Sequence, residues 1–189
     1  MLPIPFQAIS KSNVELREYQ AGERVFAMGD QTHSIFHVIF GGVTLQRYSK
    51  SGDLITIHRA FSNEYFAEAS LFADAYHCDA ITIEKSQIAA ISKTSIVDLM
   101  RVDQEFSKML TAYFARQVQD YRRLIELRSI RSAKDRVLAG LYEGLHRGNI
   151  MSFASCLGLS HEATYRALKE LVKTGHVIKE GRGHYRLNK

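Results

Sequence analysis

Five polar side chains that could contact a charged or hydrogen-bonding partner lie together near the end of the chain: His161, Glu162, Tyr165, Arg166 and Lys169. Their spacing puts them on one face of a helix. Arg166 can donate two hydrogen bonds to guanine O6 and N7, and Glu162 can accept one from cytosine N4. The pattern therefore predicts a face that reads double-stranded DNA. A solvated face with an ion pair between Glu162 and Arg166 is the competing interpretation.

The helix that carries this face is predicted to begin directly after Ser160. Serine is a favoured N-cap residue, because its hydroxyl oxygen accepts a hydrogen bond from the first turn. Small and apolar residues then recur near helical spacing and predict the buried face, namely Ala163, Ala167, Leu168 and Leu171. We expect Ser160 and Lys169 to contact phosphates and His161 to contact a base or a phosphate.

A glycine turn is predicted on the N-terminal side of this helix. Residues Phe153–Leu157 predict a short helix, and Gly158 allows a sharp turn after it. Helix, glycine turn and capped helix form a helix-turn-helix unit. In that unit the second helix enters the major groove and its first residues meet the base edges.

Another helix is predicted before this unit. Ser132, with Asp135 three positions later, resembles a capping box. A one-faced apolar series follows and predicts a helix that ends near Gly148, through Val137, Leu138, Leu141, Tyr142 and Leu145.

A hairpin, or wing, is predicted after the helix-turn-helix. Its strands are Val177–Ile178 and His184–Leu187, on either side of the glycines at positions 181 and 183. Arg182, at the tip, is a further candidate phosphate contact.

The positive charge of the chain is concentrated in its last third. Residues 131–189 carry 11 Lys and Arg against 5 Asp and Glu, whereas residues 1–130 carry 14 against 15. A basic module joined to a nearly neutral one is typical of a nucleic-acid-binding domain attached to a second domain. No apolar run reaches the length of a membrane span and no signal peptide is recognised, so we expect a cytoplasmic protein.

Short apolar runs separated by glycines dominate the first hundred residues and predict strands. These runs are Val14–Tyr19, Arg24–Phe26, Ile35–Phe40, Val43–Tyr48, Leu54–Ala60, Ala80–Ile83 and Ile88–Ile91. Many short strands with turn glycines favour a jelly-roll sandwich or barrel. A short helix is predicted over Thr94–Met100.

A long helix is predicted from Asp103, a suitable N-cap, to about Ser129, because no proline or glycine interrupts it. Apolar and aromatic residues recur along it at spacings of three and four, namely Phe106, Leu110, Tyr113, Phe114, Val118, Tyr121, Leu124 and Ile125. The helix would span roughly 40 Å, more than a small sandwich covers. We therefore expect a homodimer joined through this stripe. Packing of the stripe on its own β domain is the alternative.

These elements predict an α+β chain with three parts. A jelly-roll β domain occupies residues 1–102, a long dimerisation helix residues 103–129, and a winged helix-turn-helix domain residues 130–189. In this arrangement the chain resembles the CRP/FNR superfamily of bacterial transcription regulators. Residues 21–72 resemble the cyclic-nucleotide-binding-type β-roll of that superfamily, and residues 153–187 resemble its winged C-terminal domain.

The resemblance implies a homodimeric transcription regulator that binds a near-palindromic DNA site and contacts RNA polymerase. It places DNA contacts at Ser160, His161, Glu162 and Arg166. The β-roll would act as a sensor domain, with an effector held between the β-roll and the long helix.

The effector pocket departs from the cyclic-nucleotide-binding pattern. Glu68 of that pattern is retained, but Ala67 stands for the glycine, Cys78 for the arginine that holds the phosphate, and Asp79 for the hydroxyl residue beside it. A carboxylate repels a phosphate. Cyclic AMP is therefore not the expected effector.

The part of the pattern on the long helix also differs. Tyr121 and Arg122 stand where those members have small hydroxyl residues that meet the base. The candidate residues of an effector pocket are thus Glu68, Cys78, Asp79 and Tyr121.

Other cofactors have little support from the residues. The oxygen-sensing members carry an N-terminal cysteine cluster, whereas this chain has two distant cysteines, so no iron–sulfur cluster is expected. A haem- or metal-containing sensor of the same fold is the alternative function. Four histidines lie in the sensor half without a recognisable ligand motif, at positions 33, 37, 58 and 77. His77 and Asp79 could converge on a metal, but no metal site is predicted.

An enzyme is the rival class. Metal-dependent jelly-roll oxygenases need a tight cluster of histidines and a carboxylate, and no His-x-His pair occurs in this chain. No Gly-x-Ser-x-Gly elbow or phosphate-binding glycine loop occurs either. We therefore expect a regulator that is not an enzyme, with an effector of unknown identity or with none.

Overall fold

A computed structural model describes residues 2–146, 150–181 and 183–188. The chain divides into two compact units, the first up to Tyr113 and the second from Phe114 onward.

Eight strands make up the described β part of the first unit: β1 (Val14–Tyr19), β2 (Arg24–Phe26), β3 (Ser34–Phe40), β4 (Gly42–Tyr48), β5 (Leu54–Phe61), β6 (Tyr65–Phe66), β7 (Asp79–Thr82) and β8 (Ser86–Ser92). They form two antiparallel four-stranded sheets, ordered β1-β8-β3-β6 and β2-β7-β4-β5. This is the expected jelly-roll arrangement. Seven strands fall within two residues of their predicted bounds, and the short β6 was not predicted.

Aromatic rings fill the core of this first unit. The ring of Phe26 stacks on Tyr76 with centroids 3.8 Å apart, and Phe36 stacks on Phe66 at 5.0 Å. The Tyr76 hydroxyl donates a hydrogen bond of 2.7 Å to the carbonyl oxygen of Ser34, so its buried polar end is satisfied. Aromatic side chains such as these bury large apolar areas and dominate the energetics of a core.

Two helices follow the β-roll, α1 (Lys93–Val102) and α2 (Gln104–Ser129). The carboxylate of Asp103 accepts a hydrogen bond of 2.9 Å from the Phe106 backbone amide, as expected of an N-cap. Helix α2 begins in the first unit and ends in the second.

The first part of α2 corrects the predicted dimer interface. Phe106 and Leu110 are fully buried within the protomer, where Phe6 packs its ring edge against Phe106. Tyr113 is half-buried and makes similar edge contacts with Phe6 and Tyr65. Apolar spacing alone could not distinguish these residues from interface residues, because both sets follow one helical stripe. Phe106 and Leu110 therefore belong to the core of the protomer.

The second unit contains α3 (Ala133–Tyr142), α4 (Ile150–Leu157), α5 (His161–Lys173) and the hairpin β9 (Val177–Gly181) and β10 (His184–Leu187). The Ser132 hydroxyl accepts the Asp135 amide at 3.3 Å, so α3 begins as predicted. Helix α3 ends earlier than predicted, and Leu145 lies beyond it. Gly144, at φ 66°, terminates the helix, whereas Gly148 lies outside the described residues.

Close packing of α3 on α4 organises the core of the second unit. Gly140 faces Leu157 and Phe153, and a Cβ atom at position 140 would lie 2.8 Å from a Leu157 methyl carbon. Leu168 and Leu171 of α5 are buried in the same cluster. The three helices therefore share one core, which fixes the face that α5 presents outward.

Candidate nucleic-acid interface

The turn between α4 and α5 is built by the backbone around Gly158. The Gly158 amide donates to the carbonyl oxygen of Ser155 at 3.1 Å, and the Leu159 amide donates to that of Ala154 at 2.9 Å. These two bonds form a Schellman motif, in which the residue after the helix is left-handed. Gly158 has φ 64°, a conformation that glycine adopts without steric cost. The predicted glycine turn is thus present.

The cap of α5 follows at once. The Ser160 hydroxyl oxygen accepts a hydrogen bond of 3.1 Å from the Ala163 amide, and α5 begins at His161 as predicted. A hydroxyl group that accepts one bond can still donate its own proton. Ser160 can therefore cap the helix and donate to an anion at the same time.

The structure separates the faces of α5 largely as the sequence predicts. Ala167, Leu168 and Leu171 are buried, but Ala163 is only half-buried and Thr164 is fully buried in its neighbourhood. The Thr164 hydroxyl donates to the Ser160 carbonyl oxygen at 3.0 Å, which allows this polar residue to occupy the core face. All the candidate DNA contacts on α5 are exposed, namely His161, Glu162, Tyr165, Arg166 and Lys169.

The charged groups on the exposed face have no partners among the described residues. Neither Glu162 nor Arg166 forms a side-chain hydrogen bond or salt bridge within the part of the chain that the structure describes, although they lie four residues apart. By contrast, the neighbouring Glu170 is paired with Lys134 at 2.8 Å. Glu162 and Arg166 are therefore available to an external partner.

The surface around these groups is a shallow, open depression of about 430 Å³ lined by His161, Glu162, Tyr165 and Arg166. The rings of His161 and Tyr165 are nearly parallel, with centroids 6.4 Å apart. The depression thus combines a cation, a carboxylate and two rings with polar edges on the first two turns of α5.

The wing follows α5 in the chain and belongs to the same unit. Strands β9 and β10 pair antiparallel, with Leu187 opposite Val177, and Arg186 forms a salt bridge with Glu180. His146 contacts the Gly183 carbonyl oxygen through Nε2 at 3.0 Å. Arg182, the predicted phosphate contact of the wing, lies outside the described residues.

Sequence reasoning missed two arginines that contact the helix-turn-helix. Arg128, near the end of α2, and Arg136, on α3, both donate to backbone carbonyl oxygens at the end of α4. Their contacts span 21 to 28 positions of the chain. No local pattern signals such bonds, since their acceptors are backbone atoms that every residue carries.

The part of α2 in the second unit carries the remaining stripe residues. Val118, Tyr121 and Ile125 are exposed, and Ile125 shows 68% of its surface. Phe114 and Leu124 are half-buried. Exposed apolar and aromatic residues that recur at spacings of three and four on one helix are candidate contacts for a second protein surface.

Among the predicted effector residues, Glu68 is buried and follows Ala67, which has φ 63°. Glu68 Oε1 lies 3.4 Å from the Tyr113 hydroxyl. The conformation of Ala67 is the left-handed one that favours glycine, so the backbone geometry of the turn is kept without its usual residue.

Cys78 and Asp79 do not fit a phosphate. Cys78 is buried in the core of the β-roll, and burial raises the pKa of its thiol. The Asp79 carboxylate accepts a hydrogen bond of 2.8 Å from the Met28 amide. Neither residue supplies a positive charge. Tyr121, the fourth candidate effector residue, belongs to the second unit.

The described residues also bear on metal binding and on membrane spanning. No group of three or more His, Cys, Asp or Glu side chains among them is arranged to hold a metal ion. None of the described helices combines the length and the apolar character that a bilayer crossing requires.

The fold and the exposed helix face together define a class of protein. It joins a jelly-roll domain through a long helix to a winged helix-turn-helix domain. Residues 16–103 match the family of cyclic nucleotide-binding domains. A comparison with curated proteins found no match.

Solved structures with the same two-domain architecture come from several bacteria. FixK2 from Bradyrhizobium japonicum is 17% identical, with 93% of each chain covered and a TM-score of 0.74. The c-di-GMP-responsive global regulator CLP of Xanthomonas campestris is 19% identical, with 94% of this chain and 95% of CLP covered and a TM-score of 0.66. The catabolite activator protein of Thermus thermophilus is 24% identical, with 96% and 92% covered and a TM-score of 0.54.

The chain therefore shares the fold of these solved structures over more than nine-tenths of its length. The resemblance seen in the sequence is confirmed at this level. Two of these neighbours are named for a regulatory role, the catabolite activator protein and the global regulator CLP.

Proposed function

We propose that the protein is a sequence-specific DNA-binding transcription regulator. The observation that carries this proposal is the outer face of α5, where Glu162 and Arg166 are exposed and form no side-chain bond within the described residues. Charged groups left unpaired on a basic module favour an external partner with hydrogen-bonding edges and negative charge. Double-stranded DNA presents both in its major groove.

Each exposed residue of the face has a role in the proposal. Arg166 and Glu162 read base edges, and Ser160 and Lys169 contact phosphates on either side. His161 and Tyr165 lie between these groups and contact a base or a phosphate. Arg182 adds a phosphate contact from the wing.

The proposed active species is a homodimer. The exposed residues of α2 in the second unit, Val118, Tyr121 and Ile125, supply the contact, while Phe106 and Leu110 are excluded because they are buried within the protomer. Two copies of α5 related by a two-fold axis would bind a near-palindromic site with half-sites about one helical turn apart. RNA polymerase is the expected second partner, and the bacterial cytoplasm the expected location.

Cyclic AMP does not control DNA binding in this proposal. The position that resembles the phosphate-binding arginine holds a buried cysteine, and the neighbouring Asp79 carboxylate is engaged with a backbone amide. Neither group attracts an anionic phosphate electrostatically. An effector of other chemistry, or none, remains the expectation for the β-roll.

Selection of duplexes from a random library by the full chain tests the proposal. We expect enrichment of one inverted-repeat sequence with half-site centres roughly 34 Å apart. Cyclic AMP should leave the affinity for that duplex unchanged. Failure to enrich any sequence would contradict the function, and a single unpaired half-site would contradict the dimer.

A further inference from the structure

Arg128 ties the end of α2 to the end of α4. Its Nε donates a hydrogen bond of 3.1 Å to the Cys156 carbonyl oxygen, and one terminal nitrogen donates to that of Ser155 at 3.2 Å. Both carbonyl groups belong to the last turn of α4, where the helix dipole favours a positive charge. A single side chain thus binds two carbonyl oxygens of this turn, and that of Ser155 also accepts the bond from the Gly158 amide.

Arg136 makes a second tie at the same place. From α3 it donates to the Leu157 carbonyl oxygen at 3.2 Å through one terminal nitrogen. Its Nε donates at 2.8 Å to the carbonyl oxygen of Ile130, which lies in the joint directly after α2. The guanidinium therefore bridges the joint and the end of α4.

The turn that these arginines hold leads directly into the recognition helix. A Cβ atom at Gly158 would lie 3.4 Å from Arg128 Nε, so the turn passes directly beneath this side chain. Only Leu159 separates Gly158 from the cap of α5 at Ser160. The position of the two guanidinium groups therefore sets where α5 begins relative to the end of α2.

We propose that Arg128 and Arg136 are positioning residues that couple the end of α2 to the recognition helix and thereby set which half-site spacing the dimer accepts. This inference rests on the proposed function. In a dimer joined through α2, each protomer has its own joint between the end of α2 and the start of α5. Any variation in the geometry of this joint therefore changes the separation of the two recognition helices from both sides. A rigid tie selects one spacing, whereas a loose joint tolerates several.

Arg131 provides a matched control. It lies in the same joint and is exposed, and it forms no side-chain bond within the described residues. Arg131→Ala removes the same charge from the same neighbourhood as Arg128→Ala. Any general loss of attraction to DNA should therefore be similar in the two variants.

The test measures the affinity of the full chain for the selected duplex and for one with two base pairs inserted between its half-sites. The insertion rotates one half-site by roughly 70° relative to the other. For the unmodified protein and Arg131→Ala we expect a preference of about tenfold or more for the original spacing. Arg128→Ala and Arg136→Ala should reduce that preference to about threefold or less. An unchanged preference in both variants would overturn the inference.

Hydrogen exchange of the full chain without DNA tests the tie independently of the proposed function. The amides of Gly158 and Leu159 donate the bonds of the turn, and we expect them to exchange about tenfold faster in Arg128→Ala than in Arg131→Ala. Equal exchange rates would refute the tie. If the unmodified protein binds no DNA while these rates differ, the proposed function fails and the tie stands without a role in spacing.

Discussion

Ala67 adopts a backbone conformation that alanine rarely occupies. Its φ of 63° and ψ of 10° lie in the left-handed region, where a Cβ atom approaches the following carbonyl oxygen. The resemblance to cyclic-nucleotide-binding domains assigns a glycine to this position, and the structure keeps the glycine-like backbone. The departure was visible in the sequence, but the strain was not, since φ depends on the surrounding fold.

Replacing Ala67 by glycine should relieve this strain. We expect Ala67→Gly to raise the free energy of unfolding by up to about 1 kcal/mol, because the left-handed penalty exceeds the added flexibility of the unfolded chain. Urea unfolding at fixed protein concentration measures the change. Ala60→Gly, at a fully buried position near the end of strand β5, is the control and should lower stability. A loss of stability in Ala67→Gly would show that the buried methyl group outweighs the strain.

Burial of His37 predicts that the stability of the first unit depends on pH. The side chain is buried against Tyr65, with ring centroids 4.7 Å apart, and this burial lowers its pKa below the ordinary value. The folded state therefore binds fewer protons than the unfolded state. Neutral His37 contributes fully to the free energy of unfolding at pH values above its pKa in the unfolded chain, about 6.5. This contribution is lost as the pH falls towards the lowered pKa of the folded state.

The measurement compares unfolding free energies at pH 7 and pH 5. We expect His37→Phe to lose less stability on acidification than the unmodified protein. His33→Gln should lose as much as the unmodified protein, because His33 is exposed. Burial also lowers the pKa of His146, so only the differences between variants are informative. An equal loss in His37→Phe would assign the acid sensitivity to other groups.

The helix-turn-helix follows from the capping and turn preferences of residues close together in the chain. Ser160 and Gly158 mark a cap and a turn in any fold, and the structure has both where the sequence places them. Strand β6 was missed because two residues carry no periodic pattern. The ties from Arg128 and Arg136 were missed because their acceptors are backbone oxygens distant in sequence.

Gly158→Ala tests the role of this turn. Its φ of 64° should cost about 1–2 kcal/mol of stability with alanine, and the new methyl group would be in van der Waals contact with Arg128. Gly144→Ala is the matched control, since φ is 66° there and no atom lies within 4 Å of the added Cβ. Both variants should unfold more easily, but only Gly158→Ala should weaken DNA binding beyond the unfolded fraction. Equal DNA binding by the two folded variants would contradict this role.

In the molecule as a whole, the sequence alone establishes the charge distribution but not the surface through which two copies associate. Residues 131–189 carry the net positive charge, and the sequence is sufficient to establish that. The sequence predicts a single dimer interface along the apolar stripe of α2. It includes core residues such as Phe106 and exposed ones such as Ile125, because helical spacing reports a face without reporting what covers it.

Ile125→Glu tests the proposed dimer. A carboxylate in an apolar contact between two helices is costly to bury, so we expect self-association to weaken at least about tenfold. Sedimentation over a range of concentrations measures it. Phe72→Glu, at another exposed apolar residue, should leave self-association unchanged. A dimer of unchanged strength in Ile125→Glu would place the interface elsewhere.

The most direct test of DNA recognition by α5 compares the affinities of the unmodified protein and Arg166→Ala for the selected duplex and for a random duplex of the same length at one salt concentration. Arg166→Ala should lose on the order of 1–3 kcal/mol on the selected duplex and much less on the random one, because a base contact carries sequence information. Lys169→Ala should weaken both alike, as a phosphate contact does. An equal loss on both duplexes for Arg166→Ala would contradict base readout by this helix.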